Sequence, residues 1–437
     1  MKTRKIAAAA ASLGIIASMV ALIPMNAAAD GYTPINGTNF QFGKYLVMEK
    51  EATVPNVSFS FSVAPASGTD LTPVAGSPFV LKAGPDGIKF TASTTENVAV
   101  TASTPTSATV SFASSDNSKT IDEINAGDSR TISFMTSENA VDEKFAEKNI
   151  TLDLTGVEFS EPGVYRYVIT EDSSTNYAGV AVDTDNKRYL DCYVTADAAG
   201  DLHVREFVFY VDAEHKSTGF TNQYKTDNLF IQKNVAGNQG SKIKHFKVRV
   251  KLTKPESLNI DDNDTFQIIG NRELEPEGNG STLYSADTMK AGNNVASLTY
   301  AELAAGHDFY LCSGHNIEIR GIPSGLGYEV TEYREGYDAS DTYTAGSDTK
   351  TGDAEGEGTA IAGVSFADTE NSANNTYTLT DTCMKSNTNI TLTNTLEGNV
   401  PTGVIMSVAA SAGIVAVGAA GAACGYFFMK KKKSDEE

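Results

Sequence analysis

Six polar residues stand where strand periodicity calls for core. In the stretch FQFGKYLVM, Lys44 shares a parity with Phe40, Phe42, Leu46 and Met48. Residues two apart in a β-strand lie on one face, so this lysine sits in an apolar row. Lys233 does the same beside Leu229, Ile231 and Val235. Glu171 follows Tyr165, Tyr167 and Ile169, and Glu332 follows Leu326, Tyr328 and Val330. Asn222 lies between Phe220 and Tyr224, and Asn394 shares a face with Ile390, Leu392 and Leu396. One Lys, one Glu and one Asn therefore occur in the same order in each half of the chain.

A lone buried charge is costly, and buried charges are normally paired. Read blandly, each set is an ion pair with a hydrogen-bonded Asn. Repetition of the same three residues points to chemistry. Desolvation lowers a lysine pKa and raises a glutamate pKa, which favours a neutral amine beside a neutral acid. A neutral amine is a nucleophile. A protonated Glu can polarise the Asn side-chain carbonyl and pass a proton to the departing ammonia. The product is an isopeptide bond between Lys and Asn side chains, with Glu171 and Glu332 as the promoting acids. Fixed geometry in an apolar surround supplies the effective molarity.

The elements that must hold these residues are strands. Short alternating runs rich in Thr, Val, Tyr and Phe are punctuated by Gly, Asn, Asp and Ser, and long helical periodicity is almost absent. The fold class is all-β, with strand spacing that suits sandwiches. A loose repeat organises it: FQFGKYLV, VSFSFSV, PGVYRYVITE and FTN, then LFIQKNVA, KHFKVRV, SGLGYEVTE and LTN. Two tandem domains follow, 30–225 and 226–398. Residues 254–282 and 345–360 read as long polar loops.

Both ends of the chain carry their own signals. Residues 1–29 join Lys2, Arg4 and Lys5 to an apolar run and Ala27-Ala28-Ala29, the pattern of a secretory signal peptide. Residues 404–429 carry no charge and are long enough for a transmembrane helix; residues 430–437 begin with four lysines, a cytoplasmic stop. The formal charge of −21 argues against nucleic acid and anionic membranes as partners. Of four cysteines, Cys424 lies in the apolar run. Cys192 reads as a buried strand residue, and Cys312 and Cys383 could form a disulfide. His307, Cys312 and His315 match no standard zinc spacing and read as surface residues of a hairpin. The segment DTDNKRYLD (183–191) reads as a turn, and DASDT (338–342) only grazes a metal pattern. No metal, cofactor or external catalytic constellation is expected.

These pieces together resemble the backbone pilins of Gram-positive sortase-assembled pili, of the streptococcal-type isopeptide-domain family. The Y-x-[VI]-T-E and [FL]-T-N pieces carry the likeness. The resemblance implies immunoglobulin-like sandwiches whose first and last strands are joined. Carried over residue by residue, it implies a Lys44–Asn222 bond through Glu171 and a Lys233–Asn394 bond through Glu332. Lys50 is the fallback for Lys44. Asn399 and Val400-Pro401-Thr402-Gly403 precede the apolar run and resemble a sortase sorting signal, which implies cleavage between Thr402 and Gly403. Related pilins place the acceptor lysine late in the first domain, where Lys216 stands six residues before Asn222; the Tyr-Pro-Lys-Asn motif of many is lacking. The expectation is a shaft subunit of a covalent pilus on the cell surface and wall, made as a membrane-anchored precursor. Its partners would be a pilin sortase, further copies of itself, minor tip and basal pilins, and peptidoglycan. It is not an enzyme beyond its self-reaction. The alternative is a non-polymerising, wall-anchored adhesin on the same domains.

Overall fold

The computed structural model describes residues 38–398, apart from 74–78, 93–99, 121–141, 184, 213–214, 271–283, 347, 354–362 and 370–374. The signal peptide, Val400, Pro401, Thr402, Gly403, the 404–429 run and the tail lie outside the described residues. No helix among those described is long and apolar enough to cross a membrane.

Four sheets make two sandwich-like bodies. In the first, one sheet runs in the order Val180–Ala181, Gly219–Tyr224, Asn39–Glu49, Glu143–Asp153 and Lys89–Phe90, with Ser118–Thr120 added to Glu143–Asp153. The facing sheet runs Leu202–Tyr210, Lys187–Ala196, Gly163–Glu171, Ser58–Pro65, Ser107–Ser111 and Val100–Thr104. Between them lies a core built around Phe42, Phe59, Phe61, Tyr167, Ile169 and Phe220. Alternation explains the second face: Ser58–Pro65 buries Phe59, Phe61 and Val63 and exposes the serines between.

The second body repeats the plan. Thr226–Ala236 is central in a sheet with Asn316–Pro323 on one side and Thr388–Thr395 on the other; Phe246–Thr253, Gly327–Tyr333 and Thr376–Asp381 lie in the facing sheet. The segment read as one polar loop, 254–282, contains the strand Thr265–Gly270, whose Phe266 and Ile268 enter the core. The loop reading at 345–360 is corrected in part too, since Asp348–Asp353 is a strand paired to Asp338–Ala345. Two short helices, Ala286–Asn293 and Tyr300–Ala305, cover one end, the second started by a capping box between Thr299 and Glu302.

In both bodies the first strand pairs in parallel with the last: Asn39–Glu49 with Gly219–Tyr224, and Thr226–Ala236 with Thr388–Thr395. The register is the same. Leu46 faces Asn222 and Val235 faces Asn394, so each Lys lies two residues before the partner of its Asn. A glycine pair fixes the first register: Gly43 faces Gly219, and a Cβ on Gly219 would lie 1.9 Å from the Gly43 carbonyl oxygen.

Only Lys225 separates the two bodies in sequence, and a polar seam joins them. Ala178 is fully buried against the second core. Its N–H donates to the Asn259 carbonyl at 2.8 Å, and Asn259 N–H donates back to Asn176 at 2.9 Å. Asp264, 3% exposed, accepts from the backbone and side-chain nitrogens of Asn56 at 2.8 and 2.9 Å and from the Tyr177 hydroxyl. Loss of this carboxylate strands three donors, two on Asn56 and one on Tyr177. Asp264→Ala is therefore expected to destabilise the chain by about 2 kcal/mol and to speed proteolysis near 225, measured by urea unfolding and limited digestion. An unchanged midpoint would mean that the seam contributes nothing to stability.

Candidate functional site

The shared register places the two lysines on the inner faces of their sheets, and each Glu reaches them from the sheet opposite. Lys44 is completely buried, under the ring of Phe59 at 4.3 Å. Its Nζ donates to Glu171 Oε1 at 2.7 Å, and Asn222 Nδ2 donates to the same oxygen at 2.6 Å. Both nitrogens that must exchange places on the Asn carbonyl carbon thus sit on one carboxylate oxygen. Lys50, the fallback, is exposed beyond the strand end. Burial brings the Lys44 amine down to about 8, against the opposing pull of Glu171 and, more weakly, Asp183.

A third contact, not foreseen from sequence, completes this site. The backbone N–H of Asp183 donates to Asn222 Oδ1 at 2.9 Å. A donor on that oxygen draws charge from the carbonyl carbon and would hold the oxyanion formed on attack. Arg188 positions the loop. It donates to the Asp183 carboxylate at 2.7 Å and to the Gly219 carbonyl at 3.1 Å, and its guanidinium lies 4.6 Å from the centre of the Phe220 ring. The segment read as a mere turn therefore supplies a backbone donor to the Asn222 side chain. Its only sequence signal was an Arg at the head of an apolar row, Leu190, Cys192 and Val194.

Parity also flags Lys148, which went unremarked. It faces Lys44 across the strands and is buried, but its Nζ meets Asp116 at 2.6 Å. A local carboxylate thus neutralises it, and only Lys44 is brought to an Asn.

The second set is assembled differently in detail. Lys233 Nζ lies 3.0 Å from Glu332 Oε1, with both side chains fully buried, and Phe246 covers the amine at 4.9 Å. Burial lowers this amine as well. Its hydrogens go to the carbonyls of Asn234 at 2.9 Å and Leu392 at 3.4 Å, so the Glu contact is a close charge pair without hydrogen-bond alignment. Asn394 is fully buried, and neither amide atom has a hydrogen-bond partner. An unmet buried polar group costs about 1–3 kcal/mol, and this amide stands in the position that Asn222 occupies in the first body. Another buried acid lies close by. Asp341 pairs in register with Leu392, the residue that faces Lys233, and accepts from the Tyr377 hydroxyl at 3.2 Å. Tyr377 in turn lies opposite Glu332.

Two sequence expectations are corrected. The Cys312–Cys383 bridge is not formed; both are free thiols. Phe246–Thr253 and Gly327–Tyr333 lie between the strands that precede them, His307–Leu311 and Thr376–Asp381, which puts about 14 Å across the sheet where a disulfide needs under about 7 Å between Cα atoms. Nor is Cys312 a surface residue: it is 8% exposed and its neighbours are His315 and His245, while His307 turns away to the Gly292 carbonyl. Lys216, by contrast, is exposed and lines a groove of about 380 Å³ walled by Phe40, Phe42, Tyr45 and Phe207.

Residues 81–225 match the family model described as a Spy0128-like isopeptide containing domain. Residues 227–371 match a model described only as a domain of unknown function. A pilin of Streptococcus pyogenes serotype M1 is 27% identical over 290 residues, 66% of this chain and 73% of that protein. Over that span the chain is similar to a streptococcal pilin. Its fold is also like the crystal structure of the major pilin from Streptococcus pyogenes, at 19% identity and TM-score 0.46, covering 83% of this chain and 100% of that one. A second major pilin of that species, T3.2, gives 18% identity and TM-score 0.45 over 82% and 98%.

The pH dependence of the first site separates two roles for Glu171. While Lys44 keeps its proton, the site holds one that can be relayed to the leaving amide nitrogen. Above about 8, where Lys44 loses it, the site has none to deliver. Bond formation at Lys44, followed by mass spectrometry as unfolded chain is refolded, is therefore expected to be flat through neutral pH and to fall above about 8. A rate that instead climbs through 8 would assign the proton transfer to another group.

Proposed function

We propose that the chain is the shaft subunit of a covalent cell-surface pilus, locked internally by Lys44–Asn222 and Lys233–Asn394 isopeptide bonds and joined end to end by a sortase. The observation that carries this reading is the first site: amine and amide nitrogens on one buried carboxylate oxygen, with the amide oxygen held by a backbone N–H. In each bond the neutral Nζ attacks the Asn Cγ. The Glu takes a proton from Nζ and delivers one to Nδ2; the new C–N bond forms as the old one breaks, and one ammonia leaves. No oxidant or cofactor enters the balance.

The placement of the bonds accounts for their use. They would tie neighbouring parallel strands at the two ends of each body. Each loop closed exceeds a hundred residues, which by analogy with disulfides constrains the unfolded chain by on the order of 5 kcal/mol. Tension entering at the first strand would pass straight to the last, so that forced unfolding, a kinetic property, is opposed. Polymer growth would use Thr402 of one subunit, freed from Gly403, and the exposed Lys216 amine of the next. Cell-wall attachment would use the same sorting signal.

Two measurements test this. The intact mass of the chain from Asp30 to Gly398 is expected to fall short of its sequence by two ammonia molecules, by one in Glu171→Ala or Glu332→Ala, and by none in the double variant. Full sequence mass in the parent chain would end the isopeptide reading. Glu171→Ala also leaves a buried lysine unpaired, at about 3–5 kcal/mol. Co-expressed with its pilin sortase, the parent chain is expected to give a ladder on denaturing gels, which Lys216→Arg abolishes. A ladder that survives the substitution moves the acceptor elsewhere; no ladder from the parent leaves a wall-anchored monomer.

A further inference from the structure

Away from both triads, three metal-ligating side chains converge at one end of the second body. His245 precedes the strand Phe246–Thr253, and Cys312 and His315 bound the turn that carries the chain from one sheet to the other. Their donor atoms all lie within 4.8 Å of one another. Cys312 Sγ is 3.3 Å from His315 Nδ1, and the two imidazole rings are 5.9 Å apart.

The histidine missed in the sequence is the telling one. His245 is 3% exposed, and neither of its ring nitrogens makes a hydrogen bond. A buried imidazole normally finds a partner for each nitrogen, and this one faces the Cys312 sulfur and the His315 ring. His315 is only partly buried, so the cluster has a route to solvent. Turn geometry fixes two of the three donors: Gly314 adopts φ +88°, its N–H donates to the Lys233 carbonyl, and Lys233 N–H donates to the His315 carbonyl, both at 2.8 Å.

We propose that His245, Cys312 and His315 bind a divalent transition-metal ion of the zinc class. Two imidazoles and a thiolate suit zinc, at about 2.0–2.1 Å for Zn–N and about 2.3 Å for Zn–S. Tetrahedral geometry then asks for donors about 3.5 Å apart, which ring rotation supplies from the present spacing. The thiol proton is lost to solvent on binding, and the fourth position goes to water. Such an ion would staple the turn between the two sheets to the start of a core strand, beside the Phe246 ring that covers Lys233.

The test uses the reduced chain from Asp30 to Gly398, stripped with a chelator and dialysed against Co²⁺ or Zn²⁺. One ion per chain is expected, with a thiolate-to-cobalt charge-transfer band in the near ultraviolet. Zinc is expected to raise the melting temperature and to slow alkylation of Cys312 at least tenfold. Cys312→Ser is expected to lose the band, and His245→Gln or His315→Gln to weaken binding at least tenfold. His315 is partly exposed, so its variant keeps the test valid if His245→Gln fails to fold. Absence of the band in the parent chain, substoichiometric zinc, or a band that persists in Cys312→Ser would each overturn the site. None of these readouts depends on the isopeptide bonds.

Discussion

The structure turns on a lysine amine held in a dry core against a carboxylate from the opposite sheet. An ammonium there is stable only while its partner stays within reach, and the partner is fixed only while the two sheets stay packed. In the first body the amine is lowered by burial and kept within range by Glu171. That balance is what the proposed attack of Lys44 on Asn222 would draw on. A fully solvated lysine would be a cation with no tendency to attack, and a buried lysine without the carboxylate would not be tolerated.

Parallel pairing of first and last strands is what would let the proposed bonds carry load from one end of each body to the other. Parallel neighbours need a long connection, and here the whole body serves as that connection. The Lys and Asn of each set are consequently remote in sequence and adjacent in space. The close contact of Gly43 with Gly219 admits no side chain, and it holds the strands in the register that brings Asn222 beside Glu171. Aromatic rings of the facing sheet, Phe59 in one body and Phe246 in the other, exclude water from the amines.

The two sites are not copies. Asn222 is held by Glu171 and by the Asp183 backbone, whereas Asn394 is buried with no partner. Among the described residues the second body shows no counterpart of the Arg188–Asp183 support at Asn394, and it has a second buried acid, Asp341, tied to Tyr377. One strand plan can therefore present the same three residues in two electrostatic settings.

Alternation of apolar and polar residues was enough to read most strands, though not Thr265–Gly270 or Asp348–Asp353, and it marked the repeat and its three misplaced polar residue types, because side-chain period and burial are local properties. The same logic applied to Lys148 would mark it no differently from Lys44; only packing shows that Asp116 neutralises one and that Glu171 and Asn222 receive the other. Backbone donors leave no trace in residue identity, so the Asp183 N–H could not be read. Distances between segments far apart in sequence were equally hidden. They separate Cys312 from Cys383, and they bring His245 to Cys312 and His315. The sequence by itself determined which residues could react and on which faces they lie. Tertiary structure alone decided which of them meet, because meeting depends on strand order and register, and these follow from the packing of the whole chain.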